Sequence, residues 1–251
     1  MSETALYAYA VLPDAATVPR DAPPILPDAP LSLVGVPGCA ALVALVPRAP
    51  FVAGPACRTG DPDWLAQRAR AHHDAIAAAA RLGPVLPMAF GALFSGPAPL
   101  ADWLQARAAR LVAALSAVAG CAEVTVRVEE QPEAHIAWLD QHDQTLRALA
   151  ARVERAPPGT AFLLGQSRVK QLQAARQTRH HEASRLLAAR LEAHARALPG
   201  AMTALVAEAD MPRLRADLAA VDRELAGTGL ALRLAGPWPP YAFARAALSD
   251  G

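Results

Sequence analysis

The sequence is poor in cysteine and has no excess of charge of either sign. Its three cysteines, Cys39, Cys57 and Cys121, show no CxxC spacing, which fits neither a disulfide framework nor a zinc ribbon. The 24 Lys and Arg residues are balanced by 23 Asp and Glu residues, so no overall field favours nucleic acid, an anionic membrane or an acidic substrate. We therefore expect reduced thiols and no nucleic-acid partner.

Long apolar runs and a targeting signal are also missing. No stretch approaches the roughly 18 uninterrupted apolar residues that a membrane span needs. Residues 1–4 lack the basic region that precedes the apolar stretch of a secretory signal. We expect a cytoplasmic protein that does not associate with membranes.

Patterns typical of catalysis and metal binding are missing as well. Adjacent histidines occur at His72-His73 and His180-His181, but neighbours on a helix point about 100° apart, and no HExxH motif is present. His181 and Glu182 could act as acid and base, yet neither a nucleophile nor a glycine-rich phosphate loop accompanies them. We predict no catalytic, cofactor-binding or metal-binding residues and no enzymatic activity.

Segments with the apolar spacing of strands and helices predict an α+β protein of two domains, divided near residue 130. Each domain is expected to hold a small, mostly antiparallel, ferredoxin-like sheet covered by helices. In the N-terminal domain, residues 1–130, apolar runs predict strands and helical spacing predicts helices. The strands are 5–12, 31–36, 40–46, an interrupted strand over 84–91, and 123–128; the helices are 61–83 and 99–119.

The C-terminal domain, residues 131–251, is dominated by a long amphipathic helix. The predicted elements are a helix from 132 that ends at Pro157-Pro158-Gly159, an apolar segment over 160–164, the long helix over 167–198, a strand over 201–207, a helix over 212–226 and a strand over 230–234. Gly227 and Gly229 supply the turn before the last strand. Glu182 and Glu192 interrupt the basic residues of the long helix, which favours an acidic protein surface over nucleic acid as its partner.

Four segments resemble a known family. They are LYAYAV (6–11), the helix around His73 followed by VLPMAFG (85–91), PPGTAFLLG (157–165) and GPWPPYAF (236–243). The last is the most specific, since three prolines, a tryptophan, a tyrosine and a phenylalanine rarely occur together. In this order, and over nearly the whole chain, the segments resemble the gas vesicle protein F/L family. The sequence departs from the family at Ala89, where a basic residue is common, and at Ala242, where a serine is common.

The resemblance implies a non-enzymatic accessory protein of the gas vesicle, without a cofactor. It would bind the major shell protein, gas vesicle protein A, and other accessory proteins, and would promote nucleation and assembly of the shell. A shell subunit with an apolar gas-facing side exposes aggregation-prone surface before it polymerises, and a soluble partner could cover that surface. The alternatives are a minor component retained in the finished vesicle and a small-molecule-binding regulatory α+β module.

The candidate partner-binding residues lie in two of these motifs. They are Phe90, Gly91, Trp238, Pro239, Pro240, Tyr241 and Phe243. Two interpretations of residues 238–241 remain open: a pre-extended proline backbone with aromatic side chains suits a binding platform, and the same features suit a fastening of the terminus to the core. Phe90 could likewise contact a partner or lie in a buried strand.

Overall fold

The computed structural model describes residues 3–194, 196–197 and 202–248. The chain forms two compact units. The first unit contains the residues up to Glu123 together with those from Pro237 onward, and the second unit contains residues 124–236. The division into domains at residue 130 stays a prediction; the compact units have other bounds because the C-terminal tail packs with the first half of the chain.

The sheet of the first unit is built around its first strand. The strands are β1 (Thr4–Pro13), β2 (Leu31–Val36), β3 (Cys39–Pro47), β4 (Leu86–Pro87) and β5 (Leu93–Phe94). Their order is β2-β3-β1-β4, β5 also pairs with β1, and the recorded pairs are antiparallel. The predicted strands 31–36 and 40–46 are present as β2 and β3, and they form an antiparallel hairpin around Pro37-Gly38. Of the predicted strand over 84–91, only the two residues of β4 pair in the sheet, because Pro87 donates no ladder hydrogen bond.

In the part of the chain that the structure describes, three α-helices accompany this sheet: α1 (Pro62–Ala80), α2 (Pro97–Val118) and, near the C-terminus, a helix over Tyr241–Leu248. The first begins where the sequence predicts it. The Asp61 carboxylate accepts the backbone N–H groups of Asp63 and Trp64, each at 3.2 Å, and Pro62 opens the first turn. The C-terminal helix was not predicted from sequence.

The sheet of the second unit includes a strand predicted for the N-terminal domain. It consists of β6 (Cys121–Glu130), β7 (Arg196–Ala197), β8 (Thr203–Ala207) and β9 (Leu230–Trp238), in the order β7-β8-β6-β9. The alternating pattern of β6 indicates a strand but carries no information about its partners. The last strand runs past its predicted end through Pro237, which an edge strand tolerates.

The helices of the second unit are α3 (Pro132–His142), α4 (Gln144–Arg155), α5 (Pro158–His194) and α6 (Met211–Leu225), so the C-terminal helix of the first unit is α7. The single helix predicted from residue 132 is divided, because the Asp143 carboxylate accepts the Leu146 N–H at 2.9 Å and starts α4. The prediction of a separate apolar segment over 160–164 is wrong. Pro158 fits the first turn of a helix, so α5 already includes these residues; its predicted end at 198 lies outside the described residues.

Both units therefore combine an antiparallel sheet with covering helices, and the predicted α+β class is confirmed. Within the described part of the chain, no helix combines the length and the apolar character required to cross a membrane.

Candidate functional site

The two adjacent histidines of α1 have different surroundings. His72 is only 5% exposed and lies in the core, whereas His73 is half-buried and contacts the C-terminal tail. This difference follows from the angle of about 100° between neighbouring helical residues. Three of the four family-like segments thereby meet at one helix: LYAYAV in β1, VLPMAFG after α1, and GPWPPYAF in the tail. The fourth, PPGTAFLLG, lies in the second unit at the start of α5.

Hydrogen bonds fix the protonation state of His72. Its Nε2 lies 3.2 Å from the Met88 carbonyl, which can only accept, so Nε2 carries the proton. Its Nδ1 then accepts the Tyr7 hydroxyl at 2.8 Å, and that hydroxyl accepts the Gly91 N–H at 3.3 Å. Burial lowers the pKa of His72 to about 4 and raises the pKa of the Tyr7 hydroxyl. The ring is therefore neutral at physiological pH.

Phe90 and Gly91 belong to the same network. The Phe90 ring meets Tyr7 and His72 edge-on, with centroids 6.1 and 5.8 Å away. Gly91 has φ of 83°, a left-handed conformation that turns its N–H toward the Tyr7 hydroxyl. Phe90 thus packs against the core beneath α1, and Gly91 donates a hydrogen bond to Tyr7 of that core. That they contact a partner stays a prediction.

The tail contacts α1 through His73. The Tyr241 hydroxyl lies 2.7 Å from Nδ1 of His73, and the two rings stack with centroids 5.9 Å apart. The Trp238 ring meets His73 edge-on at 5.6 Å. Between these aromatics Pro239 and Pro240 are buried, whereas Trp238 is 43% exposed. The segment is therefore fastened by two prolines and a tyrosine and presents its tryptophan to solvent.

A buried carboxylate holds the start of α7. Glu123 is 7% exposed, and its Oε2 accepts the Ala242 N–H at 2.7 Å. Burial raises the pKa of Glu123, and backbone hydrogen bonds from Ala242 and the half-buried Phe243 oppose this shift. An anion is favourable at a helix N-terminus, where backbone N–H groups lack partners. Sequence reasoning missed Glu123, because a glutamate at the beginning of an alternating strand gives no sign of burial.

Replacing Glu123 with alanine should lower the free energy of unfolding by about 1 kcal/mol, because the first N–H groups of α7 would lose their acceptor. Glu123→Gln keeps an acceptor oxygen of the same reach and should lose less. Urea unfolding of the two variants measures the difference. Equal losses for alanine and glutamine would argue against a capping role.

The second unit has its own cluster of charged residues. Arg176 of α5 makes two hydrogen bonds to the Glu130 carboxylate, at 2.8 and 3.0 Å, and His135 Nδ1 lies 2.8 Å from the same group. The Arg176 hydrogen bond is the main reason why the pKa of Glu130 falls to about 2. This cluster ties the end of β6 to α3 and α5. Across the described residues, no group of three or more His, Cys, Asp or Glu side chains is arranged to hold a metal ion.

The segments that meet at α1 lie within a match to a known family. A family model described as "Gas vesicle synthesis protein GvpL/GvpF" matches residues 5–245. The chain belongs to this family. The resemblance inferred from the four segments is thereby confirmed.

Two curated members of the gas vesicle family are similar in sequence. Gas vesicle protein L2 of Halobacterium salinarum is 34% identical over 183 residues, which are 64% of this chain and 64% of that protein. Gas vesicle protein L of Haloferax mediterranei is 25% identical over 205 residues, which are 74% of this chain and 64% of that protein. The match thus spans slightly less than two thirds of each relative.

Two crystal structures of family members share the fold. The gas vesicle protein GvpF of Anabaena sp. aligns with a TM-score of 0.73 and 16% identity, over 96% of this chain and 98% of that one. GvpF of Microcystis aeruginosa aligns with a TM-score of 0.60 and 14% identity, over the same shares of both chains. At such identities the likeness concerns the fold, which extends over nearly the whole of both proteins.

Proposed function

We propose that this protein is a cytoplasmic, non-catalytic assembly factor of the gas vesicle, and that it binds the major shell protein, gas vesicle protein A, through the surface around Trp238. A role in vesicle assembly is supported by membership in the family, whose members are described as gas vesicle synthesis proteins. The surface is supported by one structural observation: the indole of Trp238 is 43% exposed and lies edge-on against His73 of α1.

The Trp238 side chain is well placed to contribute binding energy. Its ring rests on His73, and the buried Pro239 and Pro240 restrain the backbone that follows. An aromatic side chain that is ordered before binding loses little conformational entropy when a partner covers it. Tryptophan is also enriched among the residues that dominate binding at protein interfaces. An apolar partner surface is therefore the expected ligand.

The shell protein meets this requirement before it polymerises. A subunit that will line a gas-filled space must carry an apolar face, and that face is prone to aggregation while it is exposed to water. Contact with an ordered aromatic surface would cover part of the face until the subunit joins the shell. The proposal is thus that this protein acts before or during polymerisation.

Co-expression with the shell protein tests binding and locates it. The wild-type protein should retain the shell protein in a soluble complex, and Trp238→Ser should weaken retention by about tenfold or more, the effect expected for loss of a central aromatic contact. Leu82→Ser is the matched control, because Leu82 is 63% exposed in the same unit but lies outside the motifs; it should bind normally. Thermal unfolding should show that both variants remain folded.

The possible outcomes test binding of the shell protein separately from the assignment of the binding surface to Trp238. If the wild-type protein fails to retain the shell protein, the proposed function is contradicted. If Trp238→Ser and Leu82→Ser both bind like wild type, the function stands and Trp238 is not the contact. Deletion of the gene in a vesicle-forming host, scored by buoyancy and electron microscopy, should abolish vesicles, and normal vesicles would contradict an essential role in assembly.

A further inference from the structure

The strand β2 is an edge of the sheet in the first unit, because among the described residues it has β3 as a neighbour on one side only. Arg48, which follows β3, donates its N–H to the Glu3 carbonyl at 2.9 Å. Backbone groups point to alternate sides along a strand, so the even-numbered residues of β3 bond to β1 and the odd-numbered residues bond to β2. The register then pairs β3 with the backbone groups of Ser32, Val34 and Val36.

The other residues of β2 direct their backbone N–H and C=O groups to the outer edge. They are Leu31, Leu33 and Gly35. Gly35 is exposed, and the two leucines are half-buried. Within the described part of the chain, no backbone or side-chain group bonds to these outward groups. The edge therefore presents a row of donors and acceptors that the backbone of an extended chain would match.

Two other described edge strands carry protection that β2 lacks. In the second sheet, the Leu232 N–H of β9 donates to the Asp222 carboxylate at 2.8 Å. In the first sheet, β4 has two residues, one of which is Pro87. Short strands, prolines and charged side chains are the usual means of preventing unwanted pairing at an edge. β2 has six residues, of which none is charged or proline. Such an edge is prone to aggregation unless a partner covers it.

A cavity lies at the start of β2, where the strand follows the proline-rich segment. Its volume is about 660 Å³. The apolar residues that line it include Val18, Ala22, Pro24, Pro27, Pro30 and Leu31. Arg20 and Asp28 contribute one charge of each sign, so the lining has no net formal charge. A cavity of this composition suits a large, uncharged, apolar side chain.

We propose that β2 binds an extended, uncharged segment of a partner protein by strand addition. The backbone of that segment would hydrogen-bond to Leu31, Leu33 and Gly35, and its large apolar side chain next to Leu31 would enter the cavity. In this mode of recognition the backbone hydrogen bonds provide affinity and the cavity provides specificity. This inference concerns β2 and goes beyond the proposed function, which assigns the shell protein to the surface around Trp238.

The cavity distinguishes such a segment from a second copy of this chain. Two copies could pair their β2 strands antiparallel about a two-fold axis at Leu33, the register that pairs all the outward residues. Leu31 of one copy would then lie opposite Gly35 of the other, which has no side chain to enter the cavity. A partner with a large apolar residue at that position fills the cavity and buries more apolar area. The edge and the cavity together therefore favour a segment of different sequence.

A synthetic peptide tests the proposal on the full-length protein. Its central residues alternate valine and threonine, a phenylalanine stands at each end, and a Gly-Ser tail carries a fluorophore. Fluorescence anisotropy should show saturable binding to wild type. Gly35→Pro should weaken binding by about tenfold or more, because it removes an outward N–H and its ring obstructs the added strand. Gly35→Ala is the matched control, since it keeps the N–H and its Cβ would lie 3.8 Å from the Cβ of Ala40, an ordinary contact; it should bind like wild type.

Two changes to the peptide test the edge and the cavity without altering the protein. N-methylation of every central residue removes the donors that strand pairing requires and should weaken binding by about tenfold or more. Replacement of both phenylalanines with alanine removes the side chain expected in the cavity and should also weaken binding by about tenfold. Thermal unfolding should show that both Gly35 variants remain folded, because the Gly35 N–H takes no part in pairing with β3.

Several results would overturn the inference. One is the absence of saturable peptide binding by wild type. Another is unchanged affinity of Gly35→Pro at unchanged thermal stability, or of the N-methylated peptide for wild type. Equal binding of the alanine peptide would contradict the role of the cavity. A dimer in analytical ultracentrifugation that Gly35→Pro abolishes, without peptide binding by wild type, would assign the edge to a second copy of the chain instead.

Discussion

Gly229→Ala should lower the free energy of unfolding by about 3 kcal/mol or more. A Cβ at this position would lie 2.2 Å from the backbone nitrogen of His135 and 2.5 Å from its Cα. Gly229 also has φ of 78°, which is unfavourable for alanine. The obstacle is backbone in the first turns of α3, so it cannot rotate away as a side chain would. The Gly229 carbonyl accepts the Gln131 N–H at 2.8 Å, which holds the turn against α3.

Gly227 offers a matched control for this prediction. It has φ of 77°, almost the same as Gly229, but a Cβ there would meet nothing within 4 Å. Gly227→Ala should therefore lower the free energy of unfolding only by the cost of placing alanine in a left-handed backbone conformation, about 1 kcal/mol. Urea unfolding followed by circular dichroism measures both losses. If the two alanine variants lose the same stability, the close approach to His135 is not what requires glycine.

The two glycines also show how far the sequence predicts this turn. Glycines between an amphipathic helix and an apolar strand indicated a turn, and the structure has one between α6 and β9. The pattern could not separate Gly229 from Gly227, because the difference arises from α3, which is distant in sequence. Local signals report backbone conformation, whereas close approaches between elements depend on tertiary packing.

The same limit applies to the divided helix and to β6. Asp143 carries a recognisable N-cap signal within the predicted helix, so the break between α3 and α4 could have been found from sequence. The partners of β6 could not, because an alternating strand pairs equally well with any edge whose register buries the same face. The succession of strand-like and helix-like segments therefore predicted the α+β class, whereas the strand order required the structure.

At the candidate site, the sequence identified the segments, and the structure shows which of them contact one another. GPWPPYAF stood out because of its prolines and aromatics, and the helix around His73 belonged to the same family resemblance. Periodicity does not show that Tyr241 lies against His73, because the two residues are 168 positions apart. It also does not show which of the adjacent histidines is buried. The burial of His72 has a measurable consequence.

The free energy of unfolding should fall by about 2 kcal/mol between about pH 7 and about pH 5 as a result of His72 alone. Burial lowers its pKa from 6.5 to about 4 in the folded protein. Below pH 6.5 the unfolded chain binds a proton at this histidine and the folded protein does not, so acid favours unfolding. Above pH 6.5 the ring is neutral in both states, and below about 4 both are protonated. The loss is thus confined to the interval between the two pKa values.

This interval lies above the one in which Glu130 contributes. The pKa of Glu130 is lowered from 4.5 to about 2, so its stabilising effect is present above pH 4.5 and is lost as the pH falls toward 2. A comparison of pH 7 with pH 5 therefore leaves the ion pair of Glu130 with Arg176 intact. Among the groups whose pKa is lowered by the fold, His72 therefore makes the largest contribution to the change in the free energy of unfolding between pH 7 and pH 5.

His72→Gln isolates the effect of the buried ring. The glutamine amide can donate to the Met88 carbonyl and accept from the Tyr7 hydroxyl, as the two ring nitrogens do, but it does not titrate in this range. Urea unfolding at both pH values should therefore show a loss on acidification that is about 2 kcal/mol smaller in the variant than in wild type. If both proteins lose the same stability, another group accounts for the acid sensitivity and His72 is not held neutral by burial. If the variant retains the pH 7 stability of wild type, the hydrogen bonds among β1, α1 and the VLPMAFG segment are what the ring provides above its titration range.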